Sequence, residues 1–145
     1  MPPTWLVALS WFMLVIAFAS AAAIVGDTYG RGYRQRMAVM EAVWPVTALY
    51  FGPLALPMYY RYGRPNTGKW LAERNRDSPP DKPGWATTAV GVSHCGAGCT
   101  LGDIVAEFVV FTLGLELLGR SLLPEYIGDY VAALTLGILF QYFAI

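Results

Sequence analysis

From Trp5 to Val25 the chain carries no charged residue, and that single run restricts what it can fold into more than any other feature. About twenty apolar residues in a helix match the roughly 30 Å hydrocarbon core of a bilayer. In that solvent every backbone N–H and C=O must find its partner within the protein, so a lone apolar run is a helix. A secretory leader is the competing reading, but the residues before it, Met-Pro-Pro-Thr, lack the basic start of such a leader and the run is long, so a retained helix is expected.

Three more segments follow the same logic. Met37 to Tyr60 is apolar but interrupted by Glu41, Pro45, Pro53 and Pro57; 86–118 and 125–145 complete the set. Hydrophobic residues make up 56% of the chain and charged ones only 14%, against about a quarter in soluble domains. The expectation is an all-α, polytopic integral membrane protein forming a single transmembrane domain over 1–145. It has about four transmembrane helices, 5–25, 37–60, 86–118 and 125–145, joined by a polar loop over 61–85.

That loop holds Arg61, Arg64, Lys69, Arg74, Arg76 and Lys82, and its Ser78-Pro79-Pro80-Asp81-Lys82-Pro83-Gly84 run reads as an extended connection. The positive-inside rule assigns it to the cytoplasm. With four crossings both termini are then cytoplasmic, yet the opposite loop also carries Arg31, Arg34 and Arg36, which weakens the bias. The apolar end at Ile145 suggests a fragment, a processed form or an end covered by a partner. A net charge of zero gives no electrostatic case for nucleic acid.

The chemistry concentrates in His94-Cys95-Gly96-Ala97-Gly98-Cys99, which gathers the chain's one histidine and both cysteines, with Asp103 and Glu107 beyond. Thiolate and imidazole suit copper(I) first and zinc second. Cys95, Cys99, Asp103 and Glu107 recur at i+4 and share one helix side, and Gly98-x-x-x-Gly102 invites a second helix beside it. An ideal helix points His94 about 100° away from Cys95. A metal site of His94, Cys95, Cys99 and Asp103 therefore expects a third helix broken by glycine near His94–Cys99, as in transporters. Glu107 and Glu41 are candidates for a charge or proton relay.

Other readings stand beside it. Cysteines pack well as small apolar groups, and a core histidine can be satisfied by one hydrogen bond. Thiol–disulfide exchange is weaker, because i,i+4 positions hold Cβ atoms about 5 to 6 Å apart, beyond disulfide range. The carboxyls require partners or protons at membrane depth; Arg34, Arg36 and Arg120 are structural candidates. Met37 and Met40 beside Glu41 read as packing, Trp44 as packing around a proline kink, and Tyr59-Tyr60 as interfacial anchors. Asp27, Glu116, Glu125 and Asp129 fall near span ends and read as solvated. The sequence offers no phosphate loop, no haem-attachment motif and no lysine within a span.

Three stretches together, Trp44–Leu56, Val90–Glu107 and Phe140–Ile145, resemble an uncharacterised bacterial membrane family, domain of unknown function 4396. The resemblance implies a multi-pass protein of the bacterial inner membrane and further membrane segments beyond Ile145. It implies no activity. The functional expectation is binding or transport of copper(I) or zinc, with helix–helix partners or a homo-oligomer in the bilayer. The alternatives are a non-catalytic structural subunit of a larger membrane complex and a membrane thiol–disulfide oxidoreductase.

Overall fold

Helix α1, Thr4–Val25, runs from Pro3 with no charge to interrupt it and then widens into a π-helical turn, Gly26–Gly30. The computed structural model describes residues 2–117 and 122–143. Its further helices are α2 (Ala38–Phe51), α3 (Ala55–Met58), α4 (Gly68–Glu73), α5 (Gly84–Leu113) and α6 (Leu122–Tyr142), with no strand among the described residues. Among the described residues four segments, Thr4–Gly30, Ala38–Asn66, Gly84–Leu113 and Leu122–Tyr142, are long and apolar enough to cross a membrane. The chain is an all-α, multi-pass membrane protein in contact with the bilayer. It divides into two compact units, Met1–Ala89 and Val90–Ile145.

In the first unit the expected helix over 37–60 is not one rod. α2 passes through Pro45 without breaking but stops at Gly52, whose φ of 59° and ψ of −140° leave the helical region and suit glycine alone. A 3₁₀ turn, Gly52–Leu54, then leads into α3, and the helical path goes on through Tyr59–Gly63 and Arg64–Asn66. The chain has doubled back. The rings of Trp44 and Tyr59 stand 5.6 Å apart edge to face, whereas fifteen residues along a straight helix would separate them by about 22 Å. Farther along, a Cβ on Gly63 would lie 2.6 Å from Trp44, so the indole occupies the room that Gly63 leaves.

Both ends of this hairpin are tied to one stretch of chain, 27–34. At the start, Glu41 accepts from Tyr29 at 3.0 Å and Arg34 at 2.7 Å. That partner makes the Arg34 guanidinium an even weaker acid than usual. At the finish, Tyr59 donates to Asp27 at 3.0 Å, and Arg64 forms an ion pair with it at 3.4 Å. Asp27 and Tyr59, expected to be solvated and interfacial, are instead buried. Thr28, Arg31 and Tyr33 extend the cluster: Arg31 pairs with Asp27, Arg64 stacks on the Tyr33 ring at 3.7 Å, and the Tyr33 hydroxyl donates to Glu73 of α4. The segment 61–85 is therefore an irregular connection only in part, since its first residues finish the hairpin and α4 packs its Leu71 inward.

In the second unit the expected break near His94–Cys99 is absent: α5 is continuous from Gly84 to Leu113. The glycines are there for another reason. A Cβ on Gly98 would lie 2.5 Å from the carbonyl oxygen of Leu136, and one on Gly102 would lie 2.6 Å from Ala132 and Ala133 backbone. Gly98 and Gly102 let α5 and α6 approach backbone to backbone in an antiparallel pair, the close packing that small residues permit in lipid. The helix ends where Gly114 turns to a φ of 58°. Leu118, placed at the end of this span, Arg120, and the final two residues of the last span lie outside the described residues.

Candidate functional site

The i+4 stripe on α5 survives in the folded chain because the helix is regular. Cys95 and Cys99 are free thiols whose sulfurs stand 3.9 Å apart. Across from them α6 presents Gly137, where a Cβ would lie 2.9 Å from Cys99 Sγ and 3.7 Å from Cys95 Sγ. The thiols fill the space that glycine vacates, which fixes them at the helix crossing. Cys95 remains exposed and Cys99 is half-buried.

His94 does not join them. Its Nδ1 lies 2.8 Å from the Val90 carbonyl oxygen; that oxygen can only accept, so Nδ1 carries the proton and Nε2 holds a lone pair. The ring is 7% exposed, and Nε2 is buried with no hydrogen-bonding partner among the described residues. This is one turn of back-bonding to the helix's own backbone, the arrangement a continuous α5 imposes and a broken one would have released.

Asp103 comes next along the stripe, one helical turn beyond Cys99. On α6, Asp129 carries an Oδ1 that is buried without a hydrogen-bonding partner among the described residues. Asp103 follows Gly102, and Asp129 lies one turn before Ala132 and Ala133, the backbone that Gly102 packs against. Asp103 and Glu107 are themselves exposed. Asp129, read from sequence as solvated, belongs to the site. A signal for it existed: Gly128-x-x-x-Ala132 and Ala133-x-x-x-Gly137 repeat on α6 the small-residue spacing of α5, and Asp129 adjoins the first of them.

Of the expected ligand set, then, the structure brings Cys95 and Cys99 together with Asp103 adjacent, and turns His94 elsewhere. Among the described residues no group of three or more His, Cys, Asp or Glu side chains converges as a metal site. Glu41, expected as a relay partner, belongs to the first unit and is engaged by Arg34 and Tyr29. Arg34 is thereby committed to Glu41. What the arrangement offers chemically is two soft donors at fixed spacing, with the hard carboxyl donor of Asp103 one turn away.

No curated protein and no solved structure matches this chain. The family comparison covers Val90–Glu107 and Phe140–Ile145 and leaves Trp44–Leu56 outside: residues 84–145 match the family model described as domain of unknown function (DUF4396).

Proposed function

We propose that the α5–α6 pair binds a soft transition-metal ion, copper(I) or zinc, through the Cys95 and Cys99 thiolates, in the inner membrane of a bacterium. The observation that carries this reading is the sulfur separation. Two Zn–S bonds of about 2.3 Å at the tetrahedral angle place their sulfurs about 3.8 Å apart, and the thiols stand at 3.9 Å. They span one edge of a tetrahedron without moving the helix. Asp103 lies one turn away, and the remaining coordination positions are open to Asp103, water or a second chain. His94 would contribute through Nε2, with Nδ1 kept on the Val90 carbonyl, but its ring does not converge with the thiols among the described residues.

Metal analysis of the full-length protein purified in detergent without chelator tests the reading. Copper or zinc bound in the original protein and lost in Cys95→Ser with Cys99→Ser supports it. The absence of either metal after reconstitution under reducing conditions overturns it.

A second reading, a non-catalytic helical subunit that assembles with partners or with copies of itself, is favoured by the exposed carboxyls of Asp103 and Glu107 on a membrane helix, which are costly against lipid. Disulfide exchange ranks below both. A disulfide requires sulfurs at about 2.05 Å, and a regular helix holds these at 3.9 Å.

A further inference from the structure

We infer that Ala38–Asn66 does not cross the membrane but enters and leaves it on one face, as a re-entrant helical hairpin whose tip is Phe51-Gly52-Pro53-Leu54. The segment is long and apolar enough to span, and its composition alone reads that way. Its path does not. α2 has 14 residues, a rise of about 21 Å, and the returning arm, 55–66, rises about 18 Å, each short of a hydrocarbon core about 30 Å thick. Gly52 reverses the chain between them, and Trp44 packs on Tyr59 and Gly63 of the returning arm.

The ends of the hairpin supply the decisive geometry. Glu41, at the entry, and Tyr59 with Arg64, at the exit, are all held by residues 27–34, through Tyr29 and Arg34 on one side and Asp27 on the other. A crossing segment would put its two ends on opposite sides of the bilayer, and one short stretch of chain could not reach both. The tip is apolar and open, with Phe51 50% and Leu54 64% exposed, as suits a surface in acyl chains, while the charged residues stay at the base.

The hairpin also removes the conflict in the charge pattern. Of the ten Lys and Arg residues, all but Arg120 lie between Arg31 and Lys82. If 38–66 crossed, Arg31, Arg34 and Arg36 would face the remainder across the membrane. As a re-entrant hairpin it leaves all of them on one face, which the positive-inside rule places in the cytoplasm. α1 then carries Thr4 to the opposite face, and the Asp27–Tyr59–Arg64 cluster is the clasp that closes the hairpin on α1.

Single cysteines in the full-length protein carrying Cys95→Ala and Cys99→Ala, labelled with a membrane-impermeant maleimide in right-side-out and inside-out vesicles, test the proposal. Met37→Cys and Gly68→Cys flank the segment; a Cβ at Gly68 meets nothing within 4 Å. Both should label in inside-out vesicles only, and Thr4→Cys in right-side-out vesicles only. Spin labels at 37 and 68 in the double variant should lie far closer than the roughly 45 Å of a continuous helix. Ser78→Cys replaces Gly68→Cys for the labelling arm if the latter fails to insert. Labelling of positions 37 and 68, or 37 and 78, from opposite faces overturns the hairpin, as does a spin-label distance near 45 Å.

Discussion

The two units differ in how their carboxyls are met, although the first also buries Gln35 Nε2 and Trp44 Nε1 without hydrogen-bonding partners among the described residues. In Met1–Ala89 the buried Asp27 is met by Tyr59, Arg31 and Arg64, and Glu41 by Arg34 and Tyr29. In Val90–Ile145 the polar groups stay open: Nε2 of His94 and Oδ1 of Asp129 are buried without hydrogen-bonding partners among the described residues, and Cys95 and Asp103 are exposed. A closed network of ion pairs and hydroxyls fixes a fold; donors and acceptors left open at a helix crossing are what a ligand can use. The first unit is therefore read as architecture and the second as the site.

The contrast can be attacked at several points. The largest effect belongs to Gly102→Leu, which drives a side chain into the Ala132–Ala133 backbone at 2.6 Å. Overpacking against backbone that cannot yield should destabilise the α5–α6 pair by at least about 3 kcal/mol, read as a lowered unfolding midpoint in detergent. Wild-type stability would mean that the helices do not pack at this register.

Asp27→Ala should come next, at about 2 to 3 kcal/mol. Truncating a buried carboxylate strands two guanidiniums, but the Arg31 and Arg64 side chains are 68% and 24% exposed and solvent softens the loss. Asp27→Asn keeps an acceptor for Tyr59 and should lie between Asp27→Ala and the original protein in the same assay. If all three unfold alike, the cluster is no clasp.

Tyr59→Phe removes only the hydroxyl that donates to Asp27 and should destabilise by about 1 kcal/mol. Asp103→Asn should leave the unfolding midpoint unchanged, because the side chain is exposed, yet weaken zinc or copper(I) affinity about tenfold if it supports the thiolates. An effect on stability with none on affinity would move Asp103 from the site to the architecture.

How much of this could be read from the chain depends on how local each feature is. α1 follows from an uncharged run of the right length, and the Cys95–Cys99–Asp103 stripe from i+4 spacing, since both are properties of one helix. The role of Gly98 and Gly102 was legible only in half: their spacing promised a helix neighbour, but the need to bring His94 to the cysteines also suggested a break, and close packing of α6 keeps α5 whole. Gly52 and Pro53 within an apolar segment read equally as a kink or a reversal; only contacts between Trp44 and the returning arm distinguish them. Asp27 is the extreme case. Arg31 is a local partner, but Tyr59 and Arg64, more than thirty positions away, complete the cluster in which it is buried, and nothing in its neighbourhood announced them.

The central claim, that Cys95 and Cys99 form a ready-made edge for a soft metal ion, is tested most directly by X-ray absorption at the zinc edge of the full-length protein reconstituted with one equivalent of zinc. The account predicts two sulfur neighbours at about 2.3 Å with lighter N or O donors completing the shell, and loss of the sulfur signal in Cys95→Ser with Cys99→Ser. A spectrum of the original protein with only N and O neighbours would contradict it.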